Sequence, residues 1–365
     1  MSLYDIQGNS IATTGGVTTA TVKTALMQAI ADGTVSIGTN VGDTLTYKTD
    51  NFTSVIEANA ETAYAQLLEK YQTMPNSCVP FFLSTDQHSA GLEQHRWANN
   101  ADIDGMEYVS INLGDTSNNV YEKTTLDGYL ARTRHVKNYI GVVGNHDKRL
   151  ENEEPLDAQI CKVFNTTNLK RTMISNDTRD CYSVIDPLRN VKWVVVDPFG
   201  ETDETGVNGV GHPVYSISTK VAAWLIDELS KNDGNDIVVL CHLPFCPTTR
   251  NRTTSEESAI EYGTNMPVAW EICLARKNKT SGTVTDDDGV EHSYDFSSCT
   301  SEMLCTFHGH LHREEFSTAN GLTCYIANSW TTHCSCVFGL IDRSNMQMHI
   351  YQFDTSTYDA LVIDI

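Results

Sequence analysis

This sequence of 365 residues has little positive charge, no long apolar run, no CxxC pair and no internal repeat. Its longest apolar stretches, around 193–196 and 237–241, are strand-sized and far too short to cross a bilayer. Residues 1–20 have neither a basic start nor an apolar core before a small-residue cleavage site, so no secretory signal and a cytoplasmic location are expected. Lys and Arg number 25 against 47 Asp and Glu, a formal net charge of -22. Nonspecific nucleic-acid and anionic-membrane surfaces need a basic face, so long nucleic acid is disfavoured as a partner. A phosphorylated substrate stays open, because a bound metal pair reverses the local field. With 9 Pro, 23 Gly and 40% hydrophobic residues, the composition is that of a globular chain rather than a disordered or fibrous one. The 11 Cys are scattered, and a chain this long needs no disulfide to hold its core, so reduced thiols are expected.

What is present is a repeated pattern of strand, polar tip and helix. Short apolar strands at 79–83, 109–113 and 139–143 run into Asp86, Asp115 and Gly144, with helical stretches at 91–103 and 121–134 between them. This is a layered α/β signature, and such folds place ligands beyond the carboxyl ends of their strands. The second half adds strands at 181–185, 192–196, 237–241, 304–308 and 322–327, a helix at 219–229 and another at 266–276. Strands at 335–341, 346–353 and 360–363 complete a second sheet. A helix at 52–71 carries Ala63, Tyr64, Leu67 and Leu68 on a buried stripe. The organisation expected is a small polar leader or attachment segment, 1–50, and one domain, 51–365. Within that domain 247–298 reads either as a lid or as a surface insertion without a role.

Five clusters carry the chemistry: Asp86-Gln87-His88, Gly114-Asp115, Gly144-Asn145-His146-Asp147, His242, and Gly309-His310-Leu311-His312. Singly each is weak, since a His after a strand is usually a hydrogen-bonded structural residue. Together, and in this order, they resemble the calcineurin-like metallophosphoesterase family. Its pattern is a DxH, a GD, a GNH followed by an acidic residue, a lone His and a GHxH. The resemblance spans roughly 79–330 and implies a four-layer α/β/β/α sandwich of two mixed sheets with a dinuclear metal site at the strand ends. It implies that Asp86, His88 and His312 bind one ion and that Asn145, His242 and His310 bind the other. Asp115 would bridge them together with a nucleophilic hydroxide. Mixed oxygen and nitrogen donors suit Mn, Fe or Zn, and a metal pair about 3.5–4 Å apart stabilises in-line displacement at phosphorus. The same likeness gives His146 the task of stabilising the phosphate or protonating the leaving oxygen, with Asp147 orienting its ring. The alternative for His146 is a structural histidine beside the metals. The activity implied is hydrolysis of a phosphomonoester or phosphodiester, small or polymeric.

Two departures narrow the branch. Purple acid phosphatases carry a DxG first motif and a Tyr three residues after the GD, where this chain has His88 and Asn118. Protein phosphatases of the family carry GDxxDRG and GNHE, which this chain lacks. Gly114, Gly144 and Gly309 are read as tight turns needing backbone freedom. His308 is read as structural, Asp286 to Asp288 as a solvated turn, and Lys148 and Arg149 as either phosphate contacts or solvated charges. The leader, from Leu3 to Gly16, is similar to those of phage and prophage tail and baseplate proteins. That likeness implies a second reading, a particle-associated or homo-oligomeric structural protein that keeps the metal-bearing fold.

Overall fold

The computed structural model describes residues 3–4, 10–11, 54–74, 77–88, 106, 108–116, 138–147, 170–173, 181–186, 189–205, 211–246, 266–330, 335–354 and 358–365. The helices expected at 91–103 and 121–134, together with Asn118, Lys148, Arg149 and the segment 247–265, lie outside them. The chain divides into two compact units, Met1–Asp50 and Asn51–Ile365. In the first, β1 (Leu3–Tyr4) pairs antiparallel with β2 (Ser10–Ile11).

The second unit opens with α1 (Ser54–Thr73), followed by β3 (Cys78–Ser84), β4 (Val109–Asn112), β5 (Tyr139–Gly141), β6 (Lys170–Met173), β7 (Tyr182–Asp186) and β8 (Val191–Val195). After the pair β9 (Phe199–Thr205) and β10 (Gly211–Tyr215) come α2 (Thr219–Ser230), β11 (Asp236–Leu240) and α3 (Met266–Lys277). The hairpin β12 (Ser281–Thr285) and β13 (Glu291–Asp295) precedes β14 (Met303–His308), β15 (Glu315–Ala319) and β16 (Leu322–Ile326). The chain closes with β17 (Cys336–Asp342), β18 (Gln347–Phe353) and β19 (Tyr358–Asp364).

Two mixed sheets form the centre. One has the order β19-β18-β17-β3-β4-β5 and the other β15-β16-β14-β11-β8-β7-β6. Each has a parallel heart, β3-β4-β5 in the first and β8-β11-β14-β16 in the second, flanked by antiparallel strands. All the parallel strands therefore send their carboxyl ends toward one edge of their sheet, where the five clusters begin.

Burial on both faces explains why these strands read as continuous apolar runs. Along β3, Val79, Phe81 and Leu83 face the interior between the sheets while Cys78 and Phe82 face outward. Phe81 meets Phe307 of the opposite sheet with ring centroids 5.1 Å apart. On the outer face Phe82 and Phe338 pack beneath α1, which buries Ala60, Ala63 and Leu67. The outer face of the seven-stranded sheet is covered by α2 and α3, which bury Leu225, Leu229, Ala269 and Ile272. The result is the α/β/β/α sandwich that the motif pattern implied.

Two sequence expectations change. Cys246 and Cys324 form a disulfide, so the thiols are not all reduced; the other described cysteines, seven of them, are buried. The partners stand 78 residues apart, and only the packing of the segment after β11 against β16 brings their Cα atoms to 6.3 Å. The Asp286 to Asp288 run is a turn with Asp288 exposed, as read, but its carboxylates are engaged rather than left to solvent. Asp287 Oδ2 accepts from the Ile217 amide and Asp288 Oδ2 from the Thr219 amide, satisfying donors at the start of α2. Asp286 Oδ2 meets His292 Nε2 at 2.6 Å across the hairpin. The described part of the 247–298 segment is α3 and this hairpin, which form an outer layer of the second sheet.

Gly339 of β17 pairs with Phe81, and a Cβ there would lie 2.1 Å from the Phe81 ring. Gly339→Ala therefore overpacks the interior between the sheets. It is expected to lower the unfolding free energy by about 1–3 kcal/mol, measured by urea denaturation. A variant as stable as the parent would show that the Phe81 ring is free to move aside.

Candidate metal centre

The site residues sit on the loops that leave five strands. Asp86 and His88 follow β3, Asp115 follows β4, and Asn145, His146 and Asp147 follow β5, all in the six-stranded sheet. His242 follows β11, and His310 and His312 follow β14, in the seven-stranded sheet. Asp86, His88, Asp115, His310 and His312 all adopt positive φ, between 44° and 70°. For non-glycine residues this conformation is uncommon and costs of order 1 kcal/mol or more each, so five together mark a site that the surroundings over-determine. Three of the five other positive-φ residues are asparagines, which tolerate the conformation.

The two carboxylates divide their oxygens in the same way. Asp115 Oδ1 accepts the His146 amide at 2.7 Å, while Oδ2 lies 3.2 Å from His242 Nε2, 3.8 Å from His88 Nε2 and 3.9 Å from His146 Nε2. Asp86 Oδ2 accepts the Thr85 hydroxyl at 2.7 Å and the His310 amide at 3.0 Å, while Oδ1 lies 3.0 Å from His312 Nε2. One oxygen of each thus holds a loop and the other faces imidazoles. His88 Nε2 and His312 Nε2 are 3.1 Å apart. Asn145 Oδ1 lies 3.1 Å from both His242 Nε2 and His310 Nδ1.

Three groups of side chains bring ligand atoms within 4.8 Å of one another: Asp86, His88 and His312; Asp115, His242 and His310; and His88, Asp115 and His146. The first two share no residue, and Asp115 Oδ2 of the second lies 3.8 Å from His88 Nε2 of the first. His146 joins the third with its side chain 20% exposed and its ring edge-on to His88. Asp147 is buried, and its Oδ2 accepts the Gly144 amide at 2.9 Å, a contact that shapes the loop carrying Asn145 and His146.

Electrostatics fit a cation. Burial alone would raise Asp115, but the neighbouring His242 outweighs it and holds the carboxyl well below its usual range. Burial likewise opposes ionisation of Asp86, and the hydrogen bond from His312 turns the balance downward. His242 is pulled down by burial and up more strongly by Asp115, ending at about 9. Burial pushes His88 down to about 4 and His310 to about 3, keeping both rings neutral with lone pairs to offer. His242 Nδ1 stands 2.7 Å from the Leu113 carbonyl, which only accepts, so Nδ1 carries the proton and Nε2 turns to the site. His310 Nε2 and His88 Nδ1 are buried with no hydrogen-bond partner among the described residues. Ionised carboxylates, the neutral rings of His88 and His310 and buried unsatisfied nitrogens suit a divalent ion, and His242 would exchange the proton that Asp115 holds on it for that ion, so the residues present fit a dinuclear centre.

Several supporting residues carried no signal beyond the motifs. Asn112, Gln87 and Thr85 are fully buried. Asn112 accepts the Gly114 amide at 2.8 Å and donates to Gln87, which donates in turn to Ser84. Asn112 is a polar residue ending an apolar strand, and that was the one clue available. His308 is structural: Nδ1 meets the Cys241 carbonyl at 3.1 Å and Nε2 the Thr306 hydroxyl at 2.9 Å. The glycines divide. Gly114 does use positive φ (103°), but Gly144 and Gly309 are required for closeness. A Cβ on Gly144 would lie 2.2 Å from Asp115 Oδ1, and one on Gly309 would lie 2.0 Å from Thr85 Oγ1.

No family model matches the sequence and no curated protein matches it. Solved structures do resemble it. GAP50, the anchor in the inner membrane complex of Plasmodium, shares 9% identity over 79% of this chain and 89% of its own, with a TM-score of 0.47. The phosphopantetheinyl hydrolase of Mycobacterium tuberculosis shares 13% over 70% of this chain and 93% of its own, with a TM-score of 0.36. A putative 5'-nucleotidase from Staphylococcus aureus shares 12% over 79% of this chain and 55% of its own, with a TM-score of 0.40. All three TM-scores fall below 0.5, and the assignment of the site stands on this chain's own residues.

Gly309→Ala would drive a methyl group into Thr85 and toward Asp86. The expected outcome is loss of most bound metal with secondary structure intact, read by elemental analysis beside circular dichroism. Full metal content in that variant would disprove the close-packing reading of Gly309. The five motifs, whose order resembles that of the calcineurin-like metallophosphoesterases, thus gather their donor atoms at the strand tips of an α/β/β/α sandwich.

Proposed function

We propose that this protein hydrolyses phosphomonoesters or phosphodiesters at a dinuclear metal centre. The observation that carries the reading is Asp115, whose Oδ2 lies within 4 Å of three imidazole nitrogens, one of them from the separate group of Asp86, His88 and His312. Asp86, His88 and His312 would hold one ion, Asn145, His242 and His310 the other, and Asp115 both. Mn, Fe and Zn all suit this mixture of carboxylate, amide and imidazole donors. When bound, such a pair polarises the phosphoryl oxygens and supplies an activated water for in-line attack.

The chain's own residues do the rest. Buried carboxylates and packed imidazoles hold the donor atoms in place before substrate arrives, so little reorganisation is needed during reaction. His146, half-buried beside Asp115 and His88, keeps part of its ring open to solvent and is not among the proposed ligands. It would donate a hydrogen bond to the phosphate or a proton to the leaving oxygen. Asp147 assists by fixing the Gly144 turn on which His146 rides. No helix among the described residues is long and apolar enough to cross a membrane. A small or surface-exposed phosphate ester suits the net charge of -22 better than long nucleic acid does.

Asp115→Asn is expected to remove most of the bound metal and nearly all hydrolysis of model monoesters and diesters. Retention of both ions with full rate would sink the assignment. His146→Ala is expected to keep both ions and lose rate by about 10²–10⁴-fold, most with poor leaving groups. Loss of metal in that variant would instead make His146 a ligand, as its grouping with His88 and Asp115 allows.

A further inference from the structure

Thr85 stands immediately before the first motif and is fully buried. Its hydroxyl donates to Asp86 Oδ2 at 2.7 Å, and its carbonyl accepts the Trp330 amide at 3.1 Å, from the segment following β16. The residue is therefore held by both sheets while it holds Asp86. A terminal carboxylate torsion is broad and nearly two-fold, so nothing in Asp86 itself decides which oxygen faces the site. The second bond to Oδ2, from the His310 amide, belongs to the loop that also carries His312. It moves with that loop. The Thr85 bond comes from the strand tip that carries Asp86 and is independent of it.

We propose that Thr85 is a positioning residue for the metal centre: its hydroxyl commits Asp86 Oδ2 and so presents Oδ1 to the ion held with His88 and His312. The inference rests on the dinuclear reading given above. Oδ1 is the oxygen 3.0 Å from His312 Nε2 and 3.9 Å from His88 Nε2, whereas Oδ2 is spent on the hydroxyl and the amide. Gly309 is part of the same device, because the place its Cβ would take lies 2.0 Å from Thr85 Oγ1. The hydroxyl bond is charge-assisted and shielded from water, conditions under which such a bond is strong. Partners that orient a metal ligand from behind commonly change metal affinity by about 10–100-fold when removed.

The test is a calorimetric titration of Mn(II) into the metal-free full-length protein, with bound metal counted independently by elemental analysis. Thr85→Val keeps the shape and removes the hydroxyl. It is expected to weaken one of two ions by about 10–100-fold and leave the other unchanged. The weakened ion should be the one lost in His312→Ala, and Thr85→Ser should restore it. If the valine variant does not fold, Thr85→Ser against Thr85→Ala makes the same comparison of hydroxyl with none. Two ions bound as tightly without the hydroxyl as with it would overturn the inference and leave the dinuclear reading standing. Equal weakening of both ions, with no rescue by serine, would also overturn it, since that is the mark of a general structural role. A wild-type protein that binds fewer than two ions fails the dinuclear reading itself, and the inference falls with it.

Discussion

Two carboxylates taken out of water must be compensated on every side, and in this protein the compensation is divided between oxygens. Asp86 and Asp115 are both essentially fully buried. Each gives one oxygen to a backbone amide of a neighbouring loop and the other to a group of imidazoles. A buried charge without partners would neutralise itself, so the loops and the histidines must arrive together for either to be stable. The amide of His310 reaching Asp86 is also where the two sheets are joined at their tips. The candidate ligand set is thereby a structural joint of the two sheets.

The sandwich makes that joint available. Parallel strands in both sheets end at one edge, and the tips of β3, β4 and β5 meet those of β11 and β14 across the interior between the sheets. Backbone hydrogen bonds splice the tips directly: Asp86 to the Gly114 carbonyl, His88 to the Asp115 carbonyl and Gly309 to the His242 carbonyl. The positive φ angles of five candidate ligand residues are the conformational cost of turning side chains inward from such short loops. Behind them, Asn112, Gln87 and Ser84 form a buried chain of hydrogen bonds that binds the first two tips to each other.

Much of the frame was legible because each parallel strand is apolar on both faces and stops at a polar tip. The strand read at 79–83 is Cys78–Ser84, and the helix read at 219–229 is Thr219–Ser230. The elements that escaped notice have a different chemistry. β12 and β13 alternate exposed, polar residues with few apolar ones, and β15 is an edge strand with Phe316 exposed, so periodicity had little to report. The Cys246–Cys324 disulfide escaped for another reason. A pairing across 78 residues depends on where β16 lies beside the end of β11, and spacing alone holds no trace of it.

The sequence by itself determined which residues could serve as ligands, since Asp, His and Asn in five ordered motifs are a property of the chain and survive any packing. It also determined where the strands end, because the change from apolar to polar is local. Only the tertiary structure decided that Oδ1 of Asp86 and Oδ2 of Asp115 are the oxygens turned to the imidazoles. The choice is made by a hydroxyl and by two backbone amides, and backbone amides are the same in every residue. It decided, too, that Gly144 and Gly309 are glycines for want of room rather than for freedom of φ. Room is measured against Asp115 and Thr85, residues distant in the chain that only the folded sheets bring near.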